Sequence, residues 1–184
     1  MIGVLVSGAG TNLQALLDAG LPVVAVASNR GDAQALARAD AAGVPTAVFP
    51  LDDYGDRAAR DRALADWLEE HAAELVVLAG YMHLLTPAFL ERFPERVLNV
   101  HPSLLPAFPG AHAVEDALAY RVRWTGVTVH LVDEGVDTGP IVLQEPVRVE
   151  EGDTPESLRA RLHAVEHRLL PAAARLFLAR VAPA

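Results

Sequence analysis

Short apolar runs alternate with amphipathic stretches along the first hundred residues. Ile2 to Val6, Val23 to Ser28, Thr46 to Phe49, Leu75 to Ala79 and Arg96 to Val100 each read as a buried strand. Between them, Leu13, Leu16 and Leu17 recur at helical spacing. Asp32 to Ala42 reads as a second helix, and Asp56 to about His71 as a third, with Ala59, Ala63, Trp67 and Leu68 on one face. Thr11 or Asn12 caps the first helix and Asp32 the second; Gly20 and Gly43 stop them. Thr86-Pro87 opens a short helix as N-cap and N1, and Pro94 ends it. Strand and helix in alternation predict an α/β fold built on a parallel sheet with right-handed crossovers.

The second half departs from that rhythm. A helix covers about Ala113 to Val122. Gly126 to Val132 and Ile141 to Val149 read as strands, paired antiparallel around the Asp133 to Pro140 loop. Thr154-Pro155 opens the longest helix, whose stripe is Leu158, Leu162, Val165, Leu169, Leu170, Ala173, Leu176 and Phe177; Pro171 should kink or divide it. There is no repeat or linker. The chain reads as one domain over 1–184, with two lobes, about 1–95 and 96–184.

Asn99 to Gly110 is the stretch on which the chain turns. Asn99 and His101 are two apart, so on a strand their side chains share a face. Pro102, Pro106, Pro109 and Gly110 then stop regular structure. An amide and an imidazole at the carboxyl end of a parallel strand stand where such sheets bind ligands. The same residues also serve as a plain strand cap. Ser7-Gly8-Ala9-Gly10-Thr11-Asn12 is a glycine turn between strand and helix, suited to an anion such as a phosphate monoester, or simply a turn. It is not a dinucleotide fingerprint, because Leu13 stands at the third glycine position and the second strand ends Ser28-Asn29-Arg30 without an acid. Asp137, between Gly135 and Gly139, reads either as an Asx turn or as the acid that orients His101 and favours its charged form. Tyr81-Met82-His83-Leu84-Leu85 follows the fourth strand, as core or as cleft wall.

Charge and composition narrow the chemistry. The net charge of −9, from 15 basic and 24 acidic residues, disfavours nucleic acid and membrane surfaces as partners. All the basic residues are arginine, and the absence of lysine rules out a P-loop. With no cysteine there are no disulfides, thiolate nucleophiles or Cys-based zinc sites. His163-Ala164-Val165-Glu166-His167 matches a zinc pattern, but no acid follows it to complete the ligand set, so both histidines are expected on the helix surface. No GxSxG elbow is present. No apolar run approaches the roughly 18 residues of a membrane span, and no signal peptide is evident, so a cytoplasmic location is expected.

Three motifs in order and spacing carry a resemblance: Ser7-Gly8-Ala9-Gly10-Thr11-Asn12, Asn99-Val100-His101-Pro102-Ser103-Leu104-Leu105-Pro106 and Asp137-Thr138-Gly139-Pro140-Ile141. Together they resemble the folate-dependent formyltransferase family over essentially the whole chain. The glycine turn is similar to that of the members that formylate N1-(5-phosphoribosyl)glycinamide in purine synthesis. The resemblance implies a Rossmann-like open sheet of about seven mostly parallel strands with helices on both faces. It implies 10-formyltetrahydrofolate as co-substrate, no metal, and a monomer or homodimer acting on small molecules. By motif, Asn99, His101 and Asp137 are the catalytic trio. Gly10, Thr11, Asn12 and Glu166 hold the acceptor, at the far end of the same cleft. Arg57, Met82, His83, Leu84, Leu85, Asn99, Asp133 and Asp137 meet the folate, largely through backbone and apolar contact. Relatives often carry Arg where this chain has His83. The tRNA-formylating branch would bring a further domain and a basic surface, and the deformylase branch an N-terminal regulatory domain; neither is expected here.

Overall fold

The structure, a computed structural model, describes residues 1–181. The elements are β1 (Ile2–Val6), α1 (Thr11–Asp18), β2 (Val23–Ser28), α2 (Gln34–Ala41), β3 (Thr46–Val48), α3 (Arg57–Glu70), β4 (Leu75–Leu78), α4 (Pro87–Leu90), β5 (Val97–His101), α5 (Ala113–Ala119), β6 (Trp124–Leu131), β7 (Ile141–Arg148) and α6 (Pro155–Val181). All seven strands form one sheet in the order β3-β2-β1-β4-β5-β6-β7. The first five pair in parallel and the last two antiparallel. The chain therefore reverses direction across the sheet between β1 and β4, which makes a crevice beyond those strand ends.

Strand alternation divides the core into two layers. Val4 and Val6 of β1 and Val77 of β4 pack with Leu13, Leu16, Ala35, Ala39 and Leu170, the inner faces of α1, α2 and α6. Leu5, Val76 and Leu78 face the other way, onto Leu64, Leu68, Phe89 and Phe93 of α3 and the segment around α4. A third cluster joins Val127 and Val147 to Val114, Leu158 and Leu162.

Several element details differ from the pattern reading, each for a local reason. No side chain caps α1: its N-cap is Gly10 in the left-handed region, and Asn12 is buried with its amide on Glu166. No side chain caps α2, because the Ala35 N–H goes to the Gly8 carbonyl instead; Asp32 pairs with Arg30. The buried face of α3 is Arg60, Asp61, Leu64, Ala65 and Leu68, rotated from the apolar stripe because two charged groups find partners inside. Helix α6 runs unbroken through Pro171, and Leu176 is 46% exposed rather than packed.

Candidate active site

Four polar side chains from two neighbouring strands and one loop converge. Asn99 and His101 lie on β5, and His130 sits directly opposite Asn99 on β6. Asp137 comes from the loop after β6, which folds back over them. His101 Nδ1 is 3.3 Å from Asp137 Oδ2, and His130 Nε2 is 3.4 Å from Asp137 Oδ1. The Asn99 amide nitrogen is 3.2 Å from His130 Nε2 and 3.4 Å from Asp137 Oδ1.

The loop after β5 holds the imidazole from its other side. His101 Nε2 donates to the Phe108 carbonyl at 2.8 Å. That carbonyl is placed by a network: Thr128 Oγ1 donates to Ser103 O at 2.7 Å, Gln144 Nε2 donates to Leu105 O at 2.8 Å, and Ser103 Oγ donates to Ala107 O at 2.5 Å. Both nitrogens of His101 thus face groups that only accept, an arrangement that suits a doubly protonated ring.

Asp137 occupies the left-handed region, φ 55°, a conformation aspartate tolerates better than most residues. Its Oδ2 accepts the Gly110 N–H at 2.7 Å. Burial works against its charge, but hydrogen bonding from His130 and Gly110 and the nearness of both imidazoles outweigh that. The carboxyl is held below the ordinary aspartate value. The loop closes on itself elsewhere: Asp133 Oδ1 accepts the Gly135 N–H at 3.0 Å and the Thr138 hydroxyl at 2.7 Å. Gly139 passes so close to β6 that a Cβ there would lie 1.9 Å from the Leu131 carbonyl oxygen.

These groups line a cleft of about 450 Å³ whose other wall is Tyr81 to Leu85 and whose rim is Asp133 to Val136. Met82 and Leu84 are 72% and 55% exposed there, while Leu85 is buried. Arg57 does not line the cleft. It stands exposed in the first turn of α3, and burial together with the Arg60 and Arg57 charges depresses the His83 imidazole.

The glycine turn, Gly10 to Asn12, forms a compartment beside this cleft and is not among the residues that line it. Ser7 joins them by accepting the Met82 N–H at 2.9 Å. In that compartment Asn12 Nδ2 donates to Glu166 Oε2 at 2.8 Å, both residues buried, and Asn12 Oδ1 has no partner. A concavity of about 470 Å³ runs along the flank of α1 between Thr11, Arg38 and His167. His163 and His167 stack on α6 with ring centres 6.1 Å apart.

Two groups escape the sequence reading. His130 is one, though a histidine within the apolar run Gly126 to Leu131 is a signal. The buried Arg60–Asp61 pair is the other, and nothing in its helical pattern marks it.

An open, mostly parallel sheet that gathers an amide, two imidazoles and a carboxylate beside a cleft, with a glycine turn next to it, is that of an enzyme working by general acid–base and oxyanion chemistry. The formyl transferase family profile matches residues 1–174. The chain belongs to that family. It is 50% identical over 175 residues to the phosphoribosylglycinamide formyltransferase of Mycobacterium tuberculosis, covering 92% of this chain and 81% of that one. Its fold is similar to crystal structures of glycinamide ribonucleotide transformylase 1 from Symbiobacterium toebii (TM-score 0.94, 52% identity, 96% of this chain and 86% of that one) and of phosphoribosylglycinamide formyltransferase from Bacillus halodurans (TM-score 0.94, 39% identity, 98% and 96%).

Proposed function

We propose that this protein transfers the formyl group of 10-formyltetrahydrofolate to the amine of N1-(5-phosphoribosyl)glycinamide, a step of purine synthesis. The observation that carries the reading is the contact of His101 Nδ1 with Asp137 Oδ2, beside the Asn99 amide, at the wall of a ligand-sized cleft. The acceptor amine attacks the formyl carbon and the formyl oxygen becomes an oxyanion. Asn99 and a protonated His101 stabilise it. The long contacts at Asp137 are the ones that can give way to substrate, whereas the Phe108 carbonyl keeps the ring in place. As the tetrahedral centre collapses, the bond to the folate nitrogen breaks and the amine proton passes to that nitrogen through an ordered water. Asp137 keeps its charge throughout, as its depressed carboxyl favours.

The folate lies between Met82 to Leu85 and the Asp133 to Asp137 loop, with His83 behind it and Arg57 toward its carboxylate end. The acceptor phosphate lies on the amides of Gly10, Thr11 and Asn12, and Glu166 with the unpartnered Asn12 Oδ1 meets its ribose. The lobe of about 1–95 thus carries the phosphate turn and one wall of the folate cleft, and the remainder carries the catalytic trio, the facing loop and Glu166. No metal takes part, and the partners are small molecules, not nucleic acid or membrane. Among the described residues no helix is long and apolar enough to cross a membrane. The test is formyl transfer from 10-formyltetrahydrofolate with and without the acceptor. Release of formate at the same rate in both would replace transfer with hydrolysis.

A further inference from the structure

We infer that Arg60 is a positioning residue for the donor-side loop. From beneath the loop it fixes the His83 ring and, through Asp61, the start of α4, so that residues 81–86 present one shape to the folate. The inference rests on reading the cleft as the folate site.

Arg60 and Asp61 are adjacent on α3, and both side chains are fully buried. Desolvating two charges is unfavourable unless their hydrogen bonds are well satisfied, and buried pairs of this kind are best attested where they select one conformation. Here the polar atoms are all used, and on one segment. Arg60 Nε and a terminal N–H donate to Asp61 Oδ1 at 2.9 and 2.6 Å. Asp61 Oδ2 accepts the Thr86 N–H at 2.7 Å and the Thr86 hydroxyl at 2.8 Å. The other terminal nitrogen of Arg60 meets His83 Nδ1. The pair therefore grips the loop at residue 83 and again at residue 86.

A guanidinium can only donate, so His83 Nδ1 accepts and the ring proton sits on Nε2. That proton needs an acceptor, so the Asn29 amide, whose Nδ2 position stands 3.1 Å away and whose Oδ1 position stands 2.5 Å from Ser7 Oγ, is turned over: its oxygen accepts from His83 Nε2 and its NH2 donates to Ser7 Oγ. Ser7 Oγ in turn accepts the Met82 N–H. His83 is thereby clamped between α3 on one side and the end of β2 on the other. The Tyr81 ring lies under the same guanidinium, 6.0 Å from it. Tyr81 to Leu85 form the cleft wall, so the grip is transmitted to the surface that meets the ligand.

The test uses Arg60→Met/Asp61→Asn, which removes both charges and strands neither. The Michaelis constant for 10-formyltetrahydrofolate should rise about tenfold, while that for the acceptor and kcat at saturating donor stay within about threefold of the parent. Nitrogen-15 NMR of labelled histidine should find the His83 proton on Nε2 in the parent and shared between both nitrogens in the variant. If the double variant does not fold, His83→Leu keeps the ion pair and should raise the donor constant in the same way. A folded variant with the parent's donor constant would overturn the inference, as would equal rises for donor and acceptor. A parent that transfers no formyl group overturns the folate reading instead, and the NMR result shows whether the clamp exists regardless.

Discussion

His130 stands across the β5–β6 ladder from Asn99, with its Nε2 3.2 Å from the Asn99 amide nitrogen. Its Nδ1 donates to the Leu131 carbonyl at 2.8 Å. The ring therefore turns Nε2 inward, where it accepts from Asn99 or, when protonated, donates to Asp137. By accepting from Asn99 it fixes the angle at which the Asn99 amide faces the cleft.

His130→Ala should therefore lower turnover by about tenfold, ~1.4 kcal/mol, the scale of one oriented hydrogen bond, with the Michaelis constants little changed. Steady-state kinetics of the variant check this. Parental turnover in folded His130→Ala would mean that Asn99 holds its orientation without the imidazole.

How legible this was in the sequence depends on distance along the chain. Asn99 and His101 could be paired because they are two apart on one strand and followed by prolines. The parallel half of the sheet was readable because its strands are unbroken apolar runs punctuated by glycine. His130 could not be assigned a role, since only the antiparallel register, set by the whole β6–β7 hairpin, puts it opposite Asn99. Arg60 and Asp61 look like two solvated charges on a helix, and their burial depends on His83 and Thr86, more than twenty residues on. The start of α2 was misplaced for a related reason: its cap is the Gly8 carbonyl, a tertiary contact with no local signature.

Gly10 gives a prediction that combines strain and space. Its φ is +74°, and a Cβ would lie 2.5 Å from Ala35 Cβ and 2.7 Å from Ala35 Cα, which is backbone and cannot swing aside. Gly10→Ala should destabilise the fold by about 1–3 kcal/mol. It should also weaken acceptor binding more than folate binding, because the turn carries the amides proposed to hold the phosphate. Thermal melting and separate titrations of the two ligands check the pair of effects. Equal loss for both ligands would mean that the turn acts only through folding.

Acid should remove the stabilising contribution of Asp137. Its carboxyl in the fold lies below the ordinary value of 3.8. The unfolded chain therefore binds the proton first as pH falls, and the contribution is whole above that value and lost below it. The melting gap between the parent and Asp137→Asn should be wider near pH 6 than near pH 3. A gap that grows on acidification would mean that burial, not the hydrogen bonds from His130 and Gly110, controls this carboxyl.

The sharpest test separates the two aspartates of the β6–β7 loop. The structure gives the Asx-turn role to Asp133, whose Oδ1 takes both the Gly135 N–H and the Thr138 hydroxyl. Asp137 instead points its oxygens at His101, His130 and the Gly110 N–H. Asp137→Asn keeps the shape and removes the charge. His101 then loses the anion that favours its imidazolium form, and the oxyanion loses a charged donor. Turnover should fall roughly 10²- to 10⁴-fold with both substrates still bound. Asp133→Ala should do the opposite: loosen the loop, raise the Michaelis constant for the folate and leave turnover at saturation near the parent's. Measuring turnover, folate affinity and melting on both variants sorts the roles. Turnover of Asp137→Asn within threefold of the parent would remove Asp137 from the chemistry and return it to the loop.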